Sequence, residues 1–164
     1  MAMIDGILME FDMESATTRR VLERVPDDRW SYQPHAKSMT LQALASHIAD
    51  NPAWVGKTLN QDQWVMGPYE PYTAQSQDDL LSTFDANVAT AREIMAGTSD
   101  DTLLTNWQLV DPAGKVMFEA PKIGVLRGFI LSHTIHHRGQ LSVYLRLLDV
   151  PVPSIYGPSA DEGI

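Results

Sequence analysis

The 164-residue chain has no cysteine. That excludes disulfides, thiolate metal ligands and a cysteine nucleophile. It is also poor in positive charge: 12 lysines and arginines stand against 21 aspartates and glutamates, a net charge of −9. A nucleic-acid binder needs a basic face to displace counterions from phosphates, and a surface this acidic is repelled by anionic lipid headgroups. No apolar run reaches the roughly 18 residues that a membrane helix needs. The segment "MAMIDGILMEFDMES" lacks the basic start and apolar core of a signal peptide. A cytoplasmic protein acting on a small molecule, with neither nucleic acid nor membrane as partner, is the expectation.

What is present is enough to fold. Apolar residues make up 44% of the chain, sufficient for one domain over residues 1–164. Four segments carry helical periodicity. Residues 4–25 place Ile4, Leu8, Phe11, Val21, Leu22 and Val25 on one stripe, and Pro26 closes the run. Residues 40–60 start at Thr40, a good N-cap, and present Leu41, Leu44, Ile48, Val55 and Leu59; Pro52 inside predicts a kink or break. Residues 76–97 begin with Ser76 and Asp79 in capping-box spacing and stop at Gly97. The last helix runs from about Pro121 to Asp149. Four helices joined this way predict an all-α four-helix bundle. Before the last helix, "WQLV" and "KVMF" flank the turn signal "DPAG", which predicts a short β-hairpin. Residues 60–75 read as loop, and the proline-rich tail reads as an extended segment laid over the bundle.

Histidines break the apolar pattern of the last helix. Leu126, Ile130, His133, His137, Leu141, Tyr144 and Leu148 follow spacings of three and four. His133 and His137 therefore occupy core positions one turn apart, where two imidazoles can converge on one ion. Alone, such a pair fits a hydrogen-bonded interior as well as a metal. Two on a buried stripe leave polar nitrogens that need partners, and an ion satisfies both. The third ligand must come from elsewhere, and His47, beside the stripe of the second segment, is the best candidate. Three protein ligands with open positions mark a catalytic rather than a structural site. His136 points away from the stripe and reads as flanking or surface; His35 reads as an exposed loop residue. "HTIHH" has Thr134 where a zincin has its glutamate, and Leu44 and Ile130 stand where Glu-x-x-His pairs would need acids. A single zinc- or nickel-like ion suits this carboxylate-poor core better than a di-iron centre.

These residues resemble the DinB-like family, the damage-inducible or YfiT-type bundles. The likeness spans the whole chain and is most specific in "SHTIHHRGQLSVYLR", supported by "LASHIADN" and "VPVPSIYG". It implies an up-down-down-up bundle, a divalent metal (zinc or nickel) on His47, His133 and His137, and a homodimer. Characterised members include S-transferases that use a low-molecular-weight thiol and a mycothiol-dependent isomerase. The resemblance thus implies a thiol-dependent transferase, with the thiol supplied as cosubstrate because the chain has no cysteine.

Two other functions fit the same residues. A metal-dependent hydrolase would use a metal-activated water. Asp50 and Asn51 follow His47 on the same face, and Tyr144 lies one heptad past His137; no base can be assigned among them. A non-catalytic, metal-stabilised binding protein would use the ion as a folding staple. Asn51, Trp54 and Tyr144 are taken as pocket residues. Trp30, Trp64 and Trp107 read as packing, and the eight methionines as adaptable core filler. Arg127 and Arg138 read as solvated or ion-paired, and Gly139 as the mark of a close helix approach.

Overall fold

The computed structural model describes residues 2–68 and 70–163. Helix α1 (Met3–Leu22) buries Ile4, Phe11, Val21 and Leu22. Helix α2 (Leu41–Asp50) begins where the Thr40 hydroxyl accepts the Ala43 N–H at 3.1 Å. Pro52 has no N–H to donate and clashes with the preceding turn, so the helix breaks there. A 3-10 turn, Asn51–Ala53, leads into α3 (Trp54–Leu59). After β1 (Gln63–Val65), α4 (Gln77–Ala96) starts on the Ser76 hydroxyl, which accepts the Asp79 N–H at 3.1 Å, and ends at Gly97. A short α5 (Asp100–Leu104), unforeseen in the sequence, precedes β2 (Asn106–Val110) and β3 (Val116–Pro121). The last helix has three parts: α6 (Lys122–Val125), a π-helical stretch (Leu126–Ser132) and α7 (His133–Leu147). Its end is a left-handed stop on Asp149 (φ 57°), with the Val150 N–H returning to the Leu145 carbonyl at 2.9 Å.

Cross-links between helices give their directions. Arg92 bonds Asp12 and Arg19 bonds Asp85, so α1 and α4 are antiparallel. Asn87 reaches the Ala49 carbonyl and Gly56 lies against Ile94, so α2–α3 and α4 are parallel. Tyr144 meets Met39 while Asn51 meets Phe129, so α2 and α7 are antiparallel. Arg127 pairs with Glu10 and Arg138 with Glu14, so α1 and the last helix are parallel. The result is an up-down-down-up bundle in which α1 neighbours α4 and α7 but not α2.

The expected hairpin forms. Its turn closes on Asp111, whose Oδ1 accepts the Ala113 and Lys115 N–H groups at 2.9 Å, and on Gly114 at φ 82°, which favours glycine. The reading of residues 60–75 as loop is corrected. Gln63–Val65 pairs in parallel with Gln108–Val110 and makes a three-stranded sheet of order β1-β2-β3. A lone two-stranded hairpin is marginal, and the third strand supports it. Trp64, Leu109 and Phe118 are register partners and share one face, with Trp107 two residues back on the same side.

Two apolar clusters fill the bundle. One joins Val21 and Leu22 to Leu41, Leu44, Phe84, Leu141 and Leu145; the other joins Phe11 to Leu59, Met95, Leu126 and Ile130. Two expectations are not met within the chain. Among the described methionines only Met95 is buried, while Met9, Met13, Met39, Met66 and Met117 are exposed. Gly139 faces open space, with nothing within 4 Å of the point where a Cβ would stand, so no close approach within the chain explains it. No helix of the described residues is long and apolar enough to cross a membrane.

Candidate metal centre

His47 comes from the middle of α2, and His133 and His137 from successive turns at the start of α7. The antiparallel pairing of α2 with α7 brings the three imidazoles together. The Nε2 atoms of His47 and His133 lie 2.7 Å apart. Ring centroids are 4.7 Å apart for His47–His137 and 4.5 Å for His133–His137. One nitrogen from each residue lies within 4.8 Å of the other two, and all three rings are partly buried.

The electrostatics favour neutral rings. His133 is pushed down to about 4, first by burial and then by the neighbouring imidazoles of His137, His47 and His136. Burial lowers His47 too, followed by His137, against the raising influence of Asp50. Burial also lowers His137, against the raising hydrogen bond to Gln140. Rings neutral near pH 7 offer lone pairs. The Gln140 Oε1 can only accept, so His137 donates from Nδ1 across 2.8 Å. That leaves the His137 Nε2 lone pair for an ion, as second ligand contacts do in histidine metal sites. Gln140 escaped the sequence reading, although its place three residues after His137 was a visible signal.

The donor set fits a divalent ion of zinc or nickel type. It offers three neutral imidazole nitrogens, close enough to share one ion after small rotations, with no competing cation among them. His136 is exposed, with its ring centroid 5.0 Å from that of His137, and lies outside the group of three. His35 is exposed in its loop and accepts the Lys37 N–H.

Trp54 stands at the centre's edge. Its ring centroid is 5.5 Å from both His47 and His133, and its Nε1 donates to Asp50 at 3.2 Å. It lines a cavity of about 640 Å³, walled also by His47, His133, Lys57, Trp64, Trp107, Leu109 and Phe129. The structure puts Asn51 and Tyr144 elsewhere. Asn51 is buried between α2 and the last helix: its Nδ2 donates to the Phe129 carbonyl at 2.9 Å and its Oδ1 accepts the Thr134 hydroxyl at 2.6 Å. It thereby satisfies a carbonyl in the π-helical stretch and ties together the helices that carry the histidines. Tyr144 is buried, edge-on to Tyr32, with its hydroxyl donating to the Met39 carbonyl at 3.1 Å. Trp64 and Trp107, read as packing, belong to the cavity wall. Only the pairing of β1 with β2 brings them there, and nothing local in the sequence announces it.

The comparisons with known proteins agree with this architecture. The model of the DinB family matches residues 3–163. The uncharacterized protein YrdA of Bacillus subtilis is 28% identical over 162 residues, covering 97% of this chain and 91% of that protein. The uncharacterized protein YjoA of the same organism is 23% identical over 147 residues, covering 89% and 91%. Among solved structures, a DinB-like protein of Bacillus cereus superposes with a TM-score of 0.72 at 23% identity, covering 93% of this chain and 97% of that one. The YjoA crystal structure gives 0.68 at 19%, covering 90% and 96%. With a family match over nearly its whole length and a bundle of the same fold, the chain belongs to the DinB family.

Proposed function

We propose that His47, His133 and His137 hold one zinc or nickel ion, and that the protein is an S-transferase joining a low-molecular-weight thiol to a small-molecule electrophile. The observation behind this reading is a contrast at one place. Three neutral imidazoles converge where a large cavity opens, and the described lining of that cavity contains no carboxylate. When bound, such an ion lowers the pKa of a thiol or a water brought to it. A thiol with an ordinary pKa of about 8.5 needs little help to ionise. Hydrolysis calls also for a placed base or proton shuttle, and the described cavity wall offers no carboxylate for that role. The chain's own residues do the positioning: Gln140 fixes the His137 tautomer, Trp54 shields the rings from water, and Asn51 holds the two helices in register. The family resemblance adds a cytoplasmic homodimer as the working form, which light scattering would test.

One observation favours a hydrolase as the second reading. Asp50 lies close enough to His47 to raise its pKa, and the two residues share a small hollow with Tyr72 and Thr73.

The test is elemental analysis of protein purified without a nickel column, followed by kinetics. About one equivalent of metal is expected, with saturable turnover of an electrophile by bacillithiol, mycothiol, glutathione or coenzyme A, lost on chelation. Metal-free protein that gains nothing from added zinc or nickel would overturn both readings. Chelation that unfolds the chain, with no turnover by any thiol, would leave a metal-stabilised binding protein.

A further inference from the structure

Beyond its two histidines, the cavity wall is almost entirely apolar. Trp54 and Trp64 meet edge to face at 5.7 Å, and Trp107 and Phe129 at 6.3 Å. Leu109 lies on the same sheet face as Trp64. Two of the indole N–H groups are already engaged: Trp107 donates to the Lys57 carbonyl at 2.9 Å and Trp54 to Asp50. These rings therefore offer carbon surface to a ligand. The only charged side chain in the described lining is Lys57, whose ammonium sits over the Trp64 ring at 4.1 Å. Among the described residues, the lining includes no hydroxyl, carboxylate or side-chain amide. A sugar or nucleotide placed here would exchange many hydrogen bonds with water for almost none, which is costly. The volume of about 640 Å³ is that of a site for a compact organic molecule.

We infer that this cavity binds a flat aromatic molecule of low polarity, its ring against Trp54, Trp64, Trp107 and Phe129 and its reactive end toward His47 and His133. The inference deepens the proposed function and rests on it for that orientation: the aromatic molecule is the electrophile, and the polar thiol approaches from outside this wall. Edge-to-face and offset contacts give aromatic partners an advantage beyond their buried area.

The probe is N-phenyl-1-naphthylamine, an uncharged aromatic fluorophore, titrated into the full chain with and without zinc. Saturable binding is expected at one site, with enhanced probe emission and quenched tryptophan emission. Trp64→Ala and Leu109→Gln each weaken it roughly tenfold; the second keeps the wall closed and covers the case in which the first fails to fold. Trp30→Phe, in the other apolar cluster, leaves the affinity unchanged. Naphthalene displaces the probe, whereas N-acetylglucosamine and adenosine monophosphate do not. Absence of saturable binding, or binding that neither wall variant alters, would overturn the inference. Zinc content is measured on the same samples. Zinc bound without probe refutes the aromatic site alone, and probe bound without zinc supports that site while refuting the metal reading.

Discussion

His137 and Arg138 are consecutive, yet they meet two different interiors. About 100° apart on α7, one turns to α2 and the other to α1. Arg138 is 1% exposed and held by several partners. Its Nη1 donates to the Glu14 carbonyl and the Thr18 hydroxyl at 3.1 Å and pairs with the Glu14 carboxylate at 2.7 Å. Its Nη2 donates to the Tyr156 hydroxyl at 2.6 Å, and that hydroxyl donates in turn to Glu14. On the His137 side the ring nitrogens meet one another and Gln140 rather than a charged partner. Three imidazoles face one another, and burial and mutual repulsion keep them uncharged. A buried charge held by a carboxylate, a carbonyl and two hydroxyls is a structural link between helix and tail. Partly buried nitrogens gathered around a shared point, beside an open cavity, are a place for a ligand.

Breaking each side should separate the two roles. The largest effect is expected on the histidine side. His133→Ala or His137→Ala should abolish stoichiometric metal binding in elemental analysis while thermal unfolding stays cooperative. Next is the arginine. Arg138→Met strands the Glu14 carboxylate and should cost about 3–5 kcal/mol in denaturant unfolding, with metal content retained; adding Glu14→Gln should recover part of the loss. Asn51 couples the two sides, so Asn51→Leu should have an intermediate effect. It leaves the Phe129 carbonyl and the Thr134 hydroxyl unpaired, at about 1–3 kcal/mol. Zinc affinity, read by competition with a chelator, should fall roughly tenfold to a hundredfold through lost positioning.

The smallest effect concerns the tail that Arg138 helps to hold. Arg146 and the Val152 N–H keep the Asp161 carboxyl below its ordinary range, and the Ser154 N–H and Arg20 do the same for Glu162. A depressed folded-state value means that these contacts act in full above the ordinary carboxylate range of about 4 and are lost as pH falls through the lower folded value. Limited digestion with pepsin on acidification should therefore release the tail before the bundle unfolds, and Asp161→Asn should loosen it already at neutral pH.

Much of this was legible in the chain. Thr40 and Ser76 mark helix starts by local chemistry, whereas the first helix ends at Leu22, short of Pro26; the apolar spacing of Leu41, Leu44, Ile48, Val55 and Leu59 names residues that are all buried. The i, i+4 placement of His133 and His137 followed from helical geometry alone. The sheet's first strand was not legible. Gln63–Val65 is three residues long, and its partner lies more than forty residues further on. The contacts of Asn51 and Tyr144 were not legible for a related reason: periodicity says which residues share a face, but not which cross-helix partner takes up their polar atoms. The methionines were misread because their softness suits surface and core equally.

By itself, the sequence determined the four helices, their caps, the break at Pro52 and the two histidines on one turn. Those are short-range matters of backbone hydrogen bonding and periodicity, settled within a few residues. The tertiary structure alone decided that His47 lies against His133, that β1 carries Trp64 to the cavity, and that Arg138 is buried against Glu14. Each depends on the antiparallel pairing of α2 with α7 and on contacts between segments far apart in the chain. Their free energy arises only once the whole bundle has closed.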